Sequence, residues 1–377
     1  VTVPDAGLYL HLPYCASRCE YCAFVVTTDG SSRDRYLAAI EREAGLLERE
    51  AEESTFDSVY LGGGTPSLLP SRAVVHLLES LRSRFRVTEG AEVTLEANPE
   101  DVTEDAVAAW RDAGVNRVSV GVQSLEDREL AAVGRRHDAV KARGALERLT
   151  TSGLSVSGDL ILGLPEQTAD SFRRSVAGLC DSGVGHVSVY LLEAEKSKTI
   201  EEDRRLHPER YPSDDLQAEL WGEMSGDLAG RGFEHYEISN WARPEREARH
   251  NRKYWSRTPT LGLGVSAHEL WAGRRRANVA NIVTYLARVE AGRRPLAFDL
   301  PVTPEEANRE EIFLGLRVSE GVPAGRIEAF VVASEDVRLW NDYETWLAEG
   351  ILERQGDRVR FTERGYLISN EVLSRFV

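Results

Sequence analysis

Along the chain, short apolar runs alternate with longer segments in which apolar residues recur at helical spacing. Residues 8–12 (Leu-Tyr-Leu-His-Leu) predict a strand, and 33–53 predicts a charged amphipathic helix. A strand over 56–61 runs into Gly62-Gly63-Gly64-Thr65-Pro66-Ser67, and a helix follows over 71–85. The same reading gives strands at 92–96, 117–121, 156–162 and 186–190. Helices fall between them at 104–113, 123–133, 139–151 and 169–181.

Six strands separated by helices, with few hairpin signals, call for parallel βαβ units with right-handed crossovers. Six units fall short of the eight-stranded barrel, so the expected fold is α/β, an open partial (β/α)6 barrel. Parallel strands present ligand chemistry at their carboxyl ends. The conspicuous polar residues follow that rule: a cysteine loop after strand one, Gly62 to Ser67 after strand two, and Glu96 ending strand three. Gln123 follows strand four, Asp159 lies within strand five, and Tyr190 to Glu193 closes strand six. The pattern changes after Glu193. Residues 195–212 read as a connector or lid, 216–231 as a helix, and 233–255 as an aromatic, cationic stretch. Thr303-Pro304-Glu305-Glu306 is a helix start, and 358–362 is a hairpin-like strand. The expected division is 1–195 for the barrel core, 196–300 for a connector that completes it, and 301–377 for a small C-terminal α+β domain.

Composition narrows the function. Hydrophobic content of 42% and charged content of 29% describe an ordinary soluble protein. A net charge of −16 argues against nucleic-acid binding. Neither a secretory signal nor an apolar membrane span is visible, which leads to the expectation of a cytoplasmic protein. Three of the four cysteines stand together as Cys15-x3-Cys19-x2-Cys22. Soft thiolates select zinc or iron–sulfur clusters. Three on one loop hold three irons of a [4Fe–4S] cube and leave the fourth iron open. The alternative is a zinc site completed by His11.

The C-x3-C-x2-C loop resembles the signature of the radical S-adenosylmethionine superfamily, and the likeness extends over nearly the whole chain, within its coproporphyrinogen III oxidase-like branch. The resemblance implies a [4Fe–4S] cluster on Cys15, Cys19 and Cys22. It also implies S-adenosyl-L-methionine chelated to the open iron, where one electron cleaves the sulfonium to a 5′-deoxyadenosyl radical. Gly63, Gly64 and Thr65 resemble the family's GGGTP element at the methionine amino group. Glu96, Gln123, Arg135 and Asp159 match further cofactor positions, and Tyr9 and Tyr21 match aromatic positions beside the methionine group and the adenine. The tail resembles the branch's winged-helix-like C-terminal domain.

His250-Asn251-Arg252-Lys253-Tyr254-Trp255 resembles the His-Asn-x-x-Tyr-Trp element of the heme chaperone family, which implies heme as a further cofactor with His250 as its ligand. Partners implied by that resemblance are heme, heme-requiring apo-proteins such as membrane respiratory proteins, and a second copy of the chain in a homodimer. Two readings stand. One is a chaperone that carries heme to apo-proteins. The other is an enzyme, an oxygen-independent coproporphyrinogen III oxidase of porphyrin biosynthesis. The oxidase has a fourth cysteine two residues after the third, where this chain has Phe24.

Overall fold

The computed structural model of the chain describes residues 5–334 and 336–376. Six parallel strands arise where the apolar runs predict them: β1 (Ala6–Leu12), β2 (Thr55–Gly63), β3 (Arg86–Ala97), β4 (Arg117–Gln123), β5 (Ser155–Leu162) and β6 (His186–Leu191). They lie side by side in that order. Period-two alternation sets their faces: Leu8, Leu10 and Leu12 are buried against the helical layer, which leaves Gly7, Tyr9 and His11 facing inward. The crossovers include α1 (Arg33–Ala51), α2 (Ser71–Arg84), α3 (Glu104–Asp112), α4 (Asp127–Ala132), α5 (Ala139–Thr151) and α6 (Ala169–Asp181). Polar N-caps start several of them. The Thr103, Asp138 and Thr168 side chains accept backbone N–H groups, and Thr168 and Ser171 form a reciprocal capping box.

The sheet is larger than expected. After α7 (Lys198–Leu206) and α8 (Asp214–Gly230), the hairpin of β7 (Glu234–Glu237) and β8 (Asn240–Ala242) adds antiparallel to β6. On the other side, β9 (Thr260–Leu263) pairs parallel with β1 and makes a seventh parallel strand. Strands β10 (His268–Trp271), β11 (Arg274–Asn278) and β12 (Leu296–Pro301) continue antiparallel from it. The order is β12-β11-β10-β9-β1-β2-β3-β4-β5-β6-β8-β7, with β12 and β7 at its two ends, so the barrel is open. Strand β9 has only four residues, too few to show a periodicity in the sequence. Its Gly262 makes room for the His268 carbonyl, which would lie 2.5 Å from an added Cβ.

Between β8 and β9 comes a short helix, α9 (Arg249–Trp255), and between β11 and β12 lies α10 (Ile282–Glu290). The C-terminal segment has its own core, in which Ile312, Leu316, Ile327, Leu339, Tyr343, Val359 and Phe361 are buried together. It is built from α11 (Pro304–Gly315), α12 (Ala324–Ala333), α13 (Val337–Ala348) and the three-stranded sheet β13 (Val322–Pro323), β15 (Arg358–Phe361) and β14 (Leu352–Gln355). Main-chain pairing joins it to the barrel edge: Val318 bridges Glu237, and the Ile238 N–H donates to the Arg317 carbonyl at 2.9 Å.

Candidate functional site

The cysteine loop leaves the carboxyl end of β1. Its neck is closed by Cys15 N–H donating to the Thr27 carbonyl at 3.0 Å and Thr27 N–H donating to Pro13 at 2.8 Å. All four cysteines are unpaired, and Cys15, Cys19 and Cys22 line one cavity of about 420 Å³. Cys180 is buried in α6, away from them. Burial raises the Cys15 and Cys22 thiols above their ordinary pKa. A metal that binds there has to displace those protons, so its binding is pH-dependent. Hydrogen bonds already aim at the sulfurs: Thr65 Oγ1 donates to Cys15 Sγ at 3.3 Å, and Arg135 Nη1 to Cys19 Sγ at 3.5 Å. These residues fit a three-thiolate cluster.

The zinc alternative needs His11 as its fourth ligand. Among the described residues, no group of three His, Cys, Asp or Glu side chains, the three cysteines included, is gathered to hold a metal ion. Both ring nitrogens of His11 are also engaged, Nε2 with the Val25 carbonyl at 2.8 Å and Nδ1 with the Tyr9 hydroxyl at 3.1 Å.

The triple glycine is required by close approach. Gly63 has φ +103°, and an added Cβ would lie 2.5 Å from the His11 ring; at Gly64 it would lie 2.6 Å from the Leu12 carbonyl. With no side chains in the way, Gly63 N–H reaches Glu96 Oε2 at 2.9 Å, and Tyr60 donates its hydroxyl to Oε1 at 2.8 Å. Burial pushes the Glu96 carboxyl up to about 7 against those two donors, and the neighbouring Asp159 charge adds to the rise. Asp159 is itself raised by burial and is held by the Ser119 and Ser157 hydroxyls at 3.0 and 3.3 Å. Two carboxyls thus face one cavity and await cationic or hydroxyl partners.

Gln123 has φ +64°, a left-handed conformation that strains a non-glycine backbone, at an irregularity where β4 passes β5. Arg135 spans the site. Its Nη2 donates to Asn98 Oδ1 at 2.7 Å and to the Gly121 carbonyl at 2.8 Å, while Nη1 reaches the Tyr21 hydroxyl at 3.4 Å as well as Cys19. Tyr21, Gly63, Gly64, Thr65, Glu96, Gln123, Arg135 and Asp159 therefore line the same cavity as the three cysteines. Tyr9 is not among the lining residues. It sits one tier down, its ring 6.1 Å from Tyr60 and 6.4 Å from His250.

Several lining residues go unnoticed in the sequence. Asn98 links Arg135 to Thr65 Oγ1, which its Nδ2 reaches at 3.2 Å; Ser119 and Lys196 complete the wall. Their signal is faint: Asn98 falls two residues past Glu96, and Ser119 is one small polar residue in a strand.

His250 lies elsewhere. Strand register stacks Gly7 beside Ser58 and Ser58 beside Glu92, at the opposite end of the strands from the cysteines. Helix α9 closes that end. Its first N–H groups, from Arg249 and His250, donate to the Glu92 carboxylate at 3.1 and 2.9 Å, and Lys253 pairs with Asp57 at 2.6 Å. The His250 ring has no exposed surface, and its Cε1 would lie 3.0 Å from a Cβ on Gly7. Its Nδ1 meets Ser58 Oγ at 3.0 Å and its Nε2 meets the Tyr254 hydroxyl at 2.9 Å. The ring therefore does not border the cysteine-lined cavity, and no nitrogen stands open. Burial lowers its pKa to about 3, with the Lys253 charge adding, so it is neutral at physiological pH. Tyr190, 44% exposed, lines the cysteine-bordered cavity, and Tyr254 on α9 is 39% exposed.

Two family models match the chain: the radical SAM superfamily over residues 9–177, and the HemN C-terminal domain over residues 302–368. A heme chaperone HemW of Mycobacterium tuberculosis is 36% identical over 372 residues, covering 97% of this chain and 93% of that protein. One from Lactococcus lactis is 30% identical, covering 98% and 96%, and the Escherichia coli protein is 29% identical, covering 100% and 99%. Among solved structures, the coproporphyrinogen III oxidase HemN from Escherichia coli superposes with a TM-score of 0.85 at 23% identity, over 99% of this chain and 90% of that one. At that identity the superposition speaks for the fold.

Proposed function

The chain belongs to the HemW family of radical SAM heme chaperones, and from that membership we propose that it binds heme and delivers it to apo-proteins. The observation that carries the reading is the motif on α9: a neutral imidazole at the floor of the barrel, fixed through Nδ1 by Ser58, with the part-exposed Tyr254 on its Nε2. A neutral imidazole is the form that ligates iron. Nε2 has the Tyr254 hydroxyl as its partner, and His250 would hold heme iron through that nitrogen once the hydroxyl gives way. Ser58 then holds the ring's orientation, as outer partners of ligating histidines do.

The upper cavity is proposed to hold a [4Fe–4S] cluster on Cys15, Cys19 and Cys22 and S-adenosylmethionine against Gly63, Gly64, Thr65, Glu96, Gln123, Arg135 and Asp159. When bound, the cluster supplies an electron to the sulfonium. Arg135 fixes the cysteine loop against β4, and Glu96 and Asp159 present acceptors for the cofactor's amino and hydroxyl groups. The three unpaired thiols support a cytoplasmic, reducing setting. Among the described residues no helix is long and apolar enough to cross a membrane.

The test is anaerobic cluster reconstitution followed by heme titration on wild type and His250→Ala, with coproporphyrinogen III turnover assayed in parallel. Stoichiometric heme weakened by the substitution, with no turnover, is the expected result. Turnover that requires S-adenosylmethionine and survives His250→Ala would overturn the chaperone reading in favour of the oxidase.

A further inference from the structure

Cations around α9 are numerous, and nearly all are answered. Arg252 pairs with Glu247 and Glu320, Arg257 with Glu310 and Glu311, and Lys253 with Asp57; Arg249 donates to the Gly90 carbonyl. Arg317 differs. It follows α11 on the segment that pairs with the edge of β7, and its guanidinium lies over the Trp255 indole, 4.8 Å from the ring centre. Among the described residues its side chain makes no ion pair and donates no hydrogen bond, and its Nε is buried without a partner. The indole Nε1 of Trp255 beneath it is likewise buried and unpartnered.

Two acids lie close enough to attract Arg317, Glu237 and Glu193, but neither contacts it. Glu193 is held by Lys196, and Glu237 is turned to Asn240 and the Ser239 N–H. Burial outweighs their pull and lowers the Arg317 pKa. A partly buried guanidinium with an unused N–H is costly unless something completes it. The surroundings say what that is. Glu193 and Tyr190 belong to the wall of the upper cavity, and Trp255 follows the part-exposed Tyr254 on α9. Arg317, attracted by Glu193 and stacked on Trp255, therefore stands between the cavity wall and α9. A planar fork of donors laid on an aromatic face is suited to a carboxylate on a flat, apolar ligand.

We propose that Arg317, stacked on Trp255, is a carboxylate-binding residue of the barrel interior and that it takes a propionate of the heme held at α9. The proposal rests on the heme-binding reading above. A carboxylate could come instead from the methionine moiety of S-adenosylmethionine, and the experiment separates the two sources.

Wild type, Arg317→Gln and Arg317→Lys are reconstituted anaerobically and titrated with heme, with heme dimethyl ester, which lacks both carboxylates, and with S-adenosylmethionine. Thermal melts check that the variants fold. Wild type is expected to prefer heme over the diester by on the order of tenfold or more, the scale of a charge-assisted pair. Arg317→Gln should erase that preference while leaving diester and S-adenosylmethionine binding unchanged, and Arg317→Lys should restore part of it. Unchanged heme affinity in Arg317→Gln overturns the proposal. So does an equal loss of heme and diester, which would mark a packing role, or a loss confined to S-adenosylmethionine. Wild type that binds neither heme nor diester defeats the heme-binding reading itself and the proposal with it.

Discussion

Glu96 shows how burial shapes chemistry at a single residue. Its carboxyl is raised to about 7 first by desolvation and then by the Asp159 charge, with Tyr60 and the Gly63 N–H pulling the other way. The folded-state pKa stands above the unfolded one, so ionising Glu96 opposes folding. That contribution costs stability as pH rises from about 4.5 through 7, and it is absent below. A cation bound beside Glu96 reverses the preference, because an ammonium favours the ionised form. S-adenosylmethionine affinity is therefore predicted to rise about tenfold between pH 6 and 8, the change in ionised fraction for a group titrating near 7. Glu96→Gln should flatten that dependence and weaken binding at pH 8. Equilibrium titration across the pH range checks it, and a slope that persists in Glu96→Gln assigns the titration to another group. The residues of this cavity are the part most legible in the sequence. Cys15, Cys19 and Cys22 fall within eight residues, Gly62 to Thr65 is contiguous, and each signal is local. Asn98 was missed because its role, linking Arg135 to Thr65, exists only once β3 and β4 are side by side.

At the scale of elements, α9 is the case where a local motif and its place in the fold part company. His-Asn-x-x-Tyr-Trp can be read from six residues, but nothing local says which end of the barrel receives it. That is decided by Glu92, far earlier in the chain and only 6% exposed, which accepts the first two N–H groups of the helix. Helix α9 has seven residues, too few to be stable alone, so it depends on tertiary anchors. Glu92→Gln keeps the shape but turns one of the two acceptor oxygens into an NH2 group, so one hydrogen bond loses its charge and the other is lost, with a buried N–H left facing a donor. We expect a loss of about 2–3 kcal/mol in stability, the cost of a buried unsatisfied donor, together with weaker heme binding. Chemical denaturation and heme titration of the same variant measure both. Loss of stability with intact heme affinity would show that heme does not need α9 in this position. Strand β9 was hidden for a related reason: Thr260-Leu-Gly-Leu263 has no periodicity of its own, and only pairing with β1 makes it a strand.

Over the whole molecule, the parallel strands act as a spacer. The cysteine loop begins just past Leu12, while His250 packs on Gly7 at the other end of β1. Cys15 lies eight residues beyond Gly7 in the chain, and at about 3.3 Å per residue the two ends are separated by at most roughly 26 Å. Cys15, Cys19 and Cys22 border only the upper cavity, whereas the groups fixing His250 and α9 are Ser58, Glu92, Asp57 and Tyr254, none of them on the cysteine loop. The C-terminal segment supplies a third group, Arg317, from beyond the barrel. Heme binding and cluster binding should therefore be separable. A variant with Cys15, Cys19 and Cys22 all changed to alanine is predicted to lose iron and sulfide entirely and to keep heme affinity within about threefold, a free-energy change of less than about 0.7 kcal/mol, as expected for distant sites without shared partners. Conversely, His250→Ala should keep a full complement of iron and sulfide. Iron and sulfide analysis together with heme titration on both variants decides the matter. If the cysteine variant binds heme more than tenfold more weakly, the two ends are coupled through the strands, and the layered carboxyls and tyrosines between them, Glu96, Tyr60 and Tyr9, are where that coupling has to run.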